Sequence, residues 1–470
     1  MIHIMYQYFF SKTYLQFKAI FFFSVLVSFN SVFNMVQAQI KEAGQVEIRE
    51  TSNAIHQWPE SIPESVGMSS SRLAHLDSIF VQHIEQEKIP GMVALIVRNG
   101  FVVYEKAFGS ADPETNRPYQ TDHIFRIASQ TKAITATAVM MLWEKGLFNL
   151  DDPISNYIPE FKDVTILKEF NDSDSTYKTI PAKNQITIRH LLNHTSGIGY
   201  GIIDGDERIR KIYQKEGVVD LYTTENVSIE QSVKRLAKLP LHHEPGERFT
   251  YSEGLDVLGY LVEILSGQSF SEFLEEHLFE PLGMSNTQFY LNEDQYQLLV
   301  PVQTKNQNEE WIIYDGHPDG YYDANYPKIG AKKFYSGGAG LTSTAQDYAR
   351  FLQMYLNGGV FNEHQILSPT TVDLIMSNQT NDLFGEGNTF YGLVLTYYGL
   401  AFGVVTDKGF SIGGRGSVGT FEWGGYFNTQ YYADPDLNII GILMKQTQRI
   451  PWENTGNIMR QVVGASVIEK

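Results

Sequence analysis

Cysteine is absent from all 470 residues, so the chain has no disulfide framework and no cysteine to carry a lipid. Positive charge is scarce as well, with 36 Lys and Arg against 54 Asp and Glu and a formal charge of −18. Such a surface repels nucleic acid and anionic membrane, and no basic patch in the sequence offsets it. It does not exclude an anionic substrate held by a local cation. No internal repeat is found. What the chain does have is a globular composition, 43% hydrophobic and 13% aromatic, which can bury a large core and excludes disorder. The length fits one large unit or two intimately packed domains.

The single long apolar stretch lies near the start. Lys12 and Lys18 are the only charged residues through Gln39, Ala19 to Val27 is nearly all apolar, and Val36-Gln37-Ala38 offers small residues at a cleavage position. This is the pattern of an export signal over residues 1–38. Ser28, Asn30, Ser31 and Asn34 interrupt the run, which is short for a membrane span, so no stable membrane insertion is expected after cleavage. A cysteine-free exported chain points to the periplasm or exterior of a bacterium.

The motif with most chemical content is Phe125-Arg126-Ile127-Ala128-Ser129-Gln130-Thr131-Lys132, which runs into the alanine-rich apolar stretch Ala133 to Leu142. Residues at i and i+3 share a helix face, so the Lys132 amine can reach the Ser129 hydroxyl. At a first turn the free N–H groups and the positive end of the helix dipole favour a neutral lysine. A neutral lysine can take the proton of a serine nucleophile. Ser175-Thr176-Tyr177-Lys178 has the same spacing, but it follows the polar turn-rich run Asn171-Asp172-Ser173-Asp174, with no apolar periodicity behind it.

Elements flanking this motif can be read as well. Ser69 or Ser70 caps a helix with Leu73, Leu76, Phe80 and Ile84 on one stripe. Met92 to Val97 and Phe101 to Tyr104 flank Asn99-Gly100, a hairpin signal. Helical and loop segments follow to about residue 290. Residues 291–334 are polar and turn-rich but carry Trp311, Tyr314, Tyr321, Tyr322 and Tyr326, which suits either an insertion over a groove or a loop merely folded down. Thr344 to Leu356 reads as a helix ended by Gly358-Gly359. Phe421-Glu422-Trp423, Thr429 to Ala433 and Ile439 to Met444 read as strands, and a helix runs from about Glu453 to Val467. Strands at both ends around a helical middle imply an α+β fold, with one sheet built from the two ends.

The Ser129–Lys132 segment resembles the S-x-x-K box of the serine beta-lactamase and penicillin-binding-protein superfamily, in its class C-like branch. That branch includes beta-lactamases, D-alanyl-D-alanine carboxypeptidases, D-aminopeptidases and beta-lactamase-like esterases. Supporting context spans roughly residues 65–465. It comprises Leu150-Asp151-Asp152-Pro153 with Tyr157-Ile158-Pro159, Ile186 to Gly197, Pro245-Gly246 ahead of Phe249-Thr250-Tyr251-Ser252, and Ser336-Gly337-Gly338-Ala339-Gly340-Leu341. The resemblance implies an antiparallel sheet flanked by helices with a mostly helical insertion. In this numbering the sheet domain would be 65–124 and 335–470, the helical domain 125–334, and 39–64 an N-terminal extension.

The resemblance also assigns roles. Its second box, usually Y-x-N, falls on Tyr251-Ser252-Glu253, where Tyr251 would pass protons to and from the serine oxygen and the leaving group. Tyr290-Leu291-Asn292 and Tyr355-Leu356-Asn357 match Y-x-N literally but stand in the wrong context. Glu253 departs from the pattern: near Lys132 it would favour the ammonium and shift the base role toward Tyr251, whereas turned away it would cap or form an ion pair. The third box, usually K-T-G, is replaced by Trp423-Gly424-Gly425, as in several of the esterases. A carboxylate-binding ammonium is thereby exchanged for an apolar wall, unless Arg415 or Arg449 supplies the cation. By the same resemblance the N–H groups of Ser129 and Tyr426 would form the oxyanion hole. His190, His194, His242 and His243 lie in scaffold and not at metal spacing, so no metal or other cofactor is expected.

These features imply an exported serine hydrolase that cleaves an ester or amide through an acyl-serine, with an esterase preferred for a small-molecule ester. A D-amino-peptide peptidase or weak beta-lactamase is the alternative, and a non-catalytic envelope binding protein a third. The oligomeric state cannot be read from the sequence.

Overall fold

Two strands made almost wholly of buried apolar residues bring the early and late parts of the chain together in one sheet. In the computed structural model, which describes residues 58–470 apart from 202, 220–221, 317–321, 385–388 and 391–392, these are β1 (Gly91–Arg98) and the last strand, Ile439–Met444. They pair antiparallel from Val93↔Met444 to Arg98↔Ile439. The expected leader over 1–38, the extension as far as residue 57, and Tyr321 lie outside the described residues.

Hairpin chemistry sets the next strand. Asn99 and Gly100 hold φ values of 52° and 79°, the two positive values a tight two-residue turn requires, and β2 (Phe101–Asp112) returns beside β1. With β3 (Arg117–Pro118), β4 (Thr396–Tyr398), β5 (Gly403–Val405), β6 (Phe421–Gly424), β7 (Gln430–Asp434) and β8 (Ile439–Met444), the sheet has eight strands in the order β4-β5-β6-β7-β8-β1-β2-β3. Every pairing is antiparallel.

Alternation sends successive side chains to opposite faces, and both faces are covered. Met92, Ala94, Ile96 and Leu443 pack against Leu76 and Phe80 of α1 (His75–Glu85) and against Met459 and Val463 of the C-terminal helix Thr455–Ser466. Val93, Leu95, Ile440, Ile442 and Met444 share the larger core with Val139 of α2 (Thr131–Glu144), Leu258 of α3 (Gly254–Ser266), and Tyr348, Phe351 and Leu352 of α4 (Ala345–Leu356). The fold is thus α+β, with the sheet built from both ends as the pattern implied.

One segment differs from its reading, and a second settles between two. The polar run after residue 164, expected as helix and loop, is a β-hairpin, Thr165–Asn171 paired with Thr176–Pro181, whose side chains mostly face solvent. Ser175 and Lys178 lie in it, with Lys178 salt-bridged to Glu169 at 2.6 Å. The aromatic insertion is folded in: Tyr314, Tyr322 and Tyr326 are buried with Tyr200, Tyr222 and Phe427, and Tyr251 and Tyr426 pack against them.

Just ahead of the strand Phe125–Arg126 lies buried His123, whose Nδ1 accepts the Gln120 N–H at 3.2 Å. Burial first, and then the nearby Arg117, push its pKa from the ordinary 6.5 down to about 4. The folded ring stays neutral while the unfolded chain takes a proton below 6.5, so stability is full above that pH and drains away as pH falls toward about 4. Thermal midpoints of His123→Asn, which keeps an acceptor, should fall less between pH 7 and pH 4.5 than those of the native chain. Parallel pH slopes for the two would contradict this.

Candidate active site

Ser129 is delivered by a strained turn. The strand Phe125–Arg126 pairs with Thr342–Ser343, and Arg126 fixes the neighbouring chain by donating to the carbonyls of Ala324 (2.7 Å), Tyr326 (2.6 and 3.0 Å) and Val300 (3.3 Å). Ala128 then takes φ 47°, a left-handed value that a residue with a Cβ holds only at a cost of about 1–3 kcal/mol. Ser129 follows in a single 3-10 turn, 9% exposed, and α2 begins two residues later.

Lys132 is fully buried one turn on. Its Nζ lies 3.4 Å from Ser129 Oγ, 2.9 Å from the Tyr200 hydroxyl and 2.7 Å from the Gly338 carbonyl. The rings of Tyr200 and Tyr251 stand 4.8 and 4.7 Å from the same nitrogen and stack on each other with centroids 5.4 Å apart. Gly338 comes this close because residues 337 and 338 lack side chains. A Cβ on Gly337 would sit 2.3 Å from the Leu255 carbonyl, and one on Gly338 2.5 Å from Asp256 Oδ2.

The second box gathers around Tyr251. Its hydroxyl accepts from Trp423 Nε1 at 3.2 Å, and its ring lies 4.5 Å from that of His194. His194 is fully buried with Nδ1 accepting the Ser252 N–H at 3.2 Å; burial, and then Lys132, hold its pKa well below the ordinary range. Glu253 is the residue at the N-terminus of α3, and its Oε1 accepts the Gly201 N–H at 2.9 Å. This contact braces the loop of Tyr200. Asp204 braces that loop too, taking the Tyr200 N–H and the His242 ring nitrogen, both at 2.8 Å.

The third box closes the site from the sheet. β6 pairs with β5 only at Phe421 and Glu422, which leaves Trp423-Gly424-Gly425 beyond the end of that ladder. A Cβ on Gly425 would lie 2.4 Å from the Ile127 carbonyl, so the strand runs directly against the nucleophile turn, and Tyr426 is the next residue. The Trp423 and Tyr251 ring centroids are 5.8 Å apart. Ser129, Lys132, Tyr251 and Trp423 therefore meet in one place.

The other named candidates have separate duties. Arg415 donates to Glu422 Oε1 at 3.2 Å, with Arg460 on the other carboxylate oxygen, and the Arg449 guanidinium stands 5.9 Å from the Tyr314 ring. Tyr290 donates to the Phe334 carbonyl at 2.9 Å, and Tyr355 shares a buried hydrogen bond with Thr137 at 2.7 Å. Among the described residues no cluster of His, Asp and Glu could hold a metal ion. His190 and His243 serve the scaffold, His190 in the cap of the helix Ile188–Leu192 and His243 on Thr250 Oγ1 at 2.8 Å.

Three parts of the site escaped the sequence reading: Tyr200, the Gly338 carbonyl and Asp256. Asp256 is buried and accepts the Gly338 N–H at 3.4 Å. Burial raises its pKa, and Lys132 is among the groups that oppose the rise. An acid on the buried face of an otherwise apolar helix was the available signal.

Comparison with known proteins identifies the family. A family model described as Beta-lactamase matches residues 76–463. Esterase EstB of Burkholderia gladioli is 30% identical over 390 residues, covering 81% of this chain and 91% of that protein. A protein of Escherichia coli strain K12 named "Putative D-alanyl-D-alanine carboxypeptidase" is 28% identical over 346 residues, covering 70% and 74%. Among solved structures, EstCE1, described as a hydrolase with promiscuous acyltransferase activity, matches with a TM-score of 0.70 at 26% identity, covering 84% of this chain and 98% of that one.

Proposed function

The chain belongs to the beta-lactamase family of serine hydrolases, and from that premise we propose that it is an exported esterase working through an acyl-serine. Trp423 carries the preference for esters. Its indole stands against Tyr251 where the family's third box would present a cation, while Arg415 is engaged with Glu422. A substrate with an apolar acyl or alcohol part suits that wall, and one that needs its carboxylate held there does not. The name of EstB supports the same reading. Export rests on Lys12, Lys18, the apolar run to Val27 and Val36-Gln37-Ala38.

Ser129 Oγ attacks the carbonyl carbon. Lys132 Nζ, held by the Gly338 carbonyl and the Tyr200 hydroxyl, stands 3.4 Å from Ser129 Oγ, in place to take the serine proton. Tyr251 protonates the departing alcohol and later activates water, and the N–H groups of Ser129 and Tyr426 receive the oxyanion. The acid is released and Ser129 regains its proton.

The deciding experiment compares kcat/KM for p-nitrophenyl butyrate, an N-blocked D-alanyl-D-alanine peptide and nitrocefin. The ester should exceed both others by at least about 100-fold, the scale on which a site tells apart groups it can and cannot pair. Peptide or lactam turnover within tenfold of the ester would favour the peptidase or beta-lactamase alternative. No turnover of any of them would favour the binding protein.

A further inference from the structure

Away from the nucleophile, a cavity of about 450 Å³ opens between the turn from β2 to β3, Arg126 and the aromatic insertion. Three cations line it: Arg117, Arg126 and Lys328. In a chain of charge −18 such a grouping is unexpected, and among the described residues none of the three has a carboxylate within ion-pair distance. Both arginines spend their N–H groups on carbonyls, Arg117 on those of Gln297 and Leu299 and Arg126 on those of Val300, Ala324 and Tyr326. Carbonyl dipoles orient a guanidinium but leave its charge uncancelled. Lys328 Nζ makes no hydrogen bond among the described residues and lies 5.9 Å from the Tyr296 ring centre. Burial, and then Arg126 and Arg117, lower its pKa, as expected where like charges share one partly buried space.

The rest of the wall says what would cancel that charge. Asp112, the one acid on it among the described residues, has its Oδ1 committed to the N–H groups of Glu114 and Thr115 at 2.9 and 3.3 Å. Tyr296, Tyr314 and Tyr322 supply aromatic surface, and Leu299, Val302 and Ile313 aliphatic surface. The volume falls in the range of organic-ligand sites and exceeds the need of a bare ion. We propose that this cavity binds a small organic carboxylate, its head among Lys328, Arg117 and Arg126 and its apolar body along Tyr296 and Tyr314. The site is separate from Ser129 and holds whether or not Ser129 acylates.

Isothermal titration of the full chain with benzoate, benzamide and inorganic phosphate at fixed ionic strength tests it. Benzoate should bind saturably, with benzamide and phosphate each at least about tenfold weaker, since one lacks the charge and the other the apolar body. Lys328→Met should weaken benzoate at least about tenfold, while Lys328→Arg, which keeps the charge, should retain most of the binding. Thermal midpoints without ligand confirm that both variants fold. Undiminished benzoate binding in Lys328→Met, equal binding of benzamide, phosphate binding as tight as benzoate, or no benzoate binding would each overturn the proposal.

Discussion

Ser129→Ala is expected to lower kcat/KM for p-nitrophenyl butyrate by at least about 10⁴-fold, because the change removes the atom that forms the acyl bond. The loss should appear without loss of fold. Among the described residues the hydroxyl's hydrogen-bond partner is Lys132, at 3.4 Å, and Lys132 keeps its contacts with Tyr200 and Gly338 when that oxygen goes. Lys132→Met is the companion experiment. It retains the length of a fully buried side chain but takes away the amine, and about 10³-fold should be lost from kcat/KM. This variant also leaves the Gly338 carbonyl buried without its Lys132 partner, at about 1–3 kcal/mol of stability. The two variants therefore differ in a second observable: Ser129→Ala keeps the thermal midpoint, and Lys132→Met lowers it. Turnover in Ser129→Ala within tenfold of the native rate would remove Ser129 from the mechanism.

What the sequence displayed about this site was its local part. Ser129 and Lys132 are three residues apart on one turn, Asn99-Gly100 dictates its own hairpin, and β8 is apolar at every position, so each announces itself within a few residues. Tyr200 is set largely by distant partners: Glu253 holds the loop from 52 positions away and Lys132 lies 68 positions away, beside the local contact to Asp204. No spacing rule links such residues, since the contact exists only after the helical region has closed on the sheet. The hairpin over 165–181 was hidden for a different reason. Only Ile166 in it is buried, and Lys168-Glu169 breaks the apolar positions of its first strand, so the alternation that marks a half-buried strand is weak. In residues 291–334 the polar turn residues were visible and the aromatic density was too, but only the fold shows Tyr314, Tyr322 and Tyr326 turned into one cluster with Tyr200 and Phe427.

The presence of two tyrosines at Lys132 sharpens the last expectation, because only one of them faces the third box. Tyr251 accepts from Trp423, whereas the Tyr200 hydroxyl rests on Lys132 at 2.9 Å. If Tyr251 carries the proton to the leaving alcohol and then from the attacking water, Tyr251→Phe should lower kcat by about 10²–10⁴-fold. KM should not rise, since the ring and its contacts with Tyr200 and Trp423 survive, and it should fall as deacylation becomes limiting. Slow deacylation should also let a butyryl group accumulate on Ser129, visible as a mass increment on the intact chain. Tyr200→Phe removes a positioning hydrogen bond to the amine. Its cost should stay near 10–100-fold, and no acyl-serine should build up. The double variant should lose less than the product of the two single losses, because both side chains act through the same lysine. Were Tyr200→Phe the more damaging change, or the one that trapped the acyl group, the proton path would run through Tyr200, with Tyr251 left to orient it.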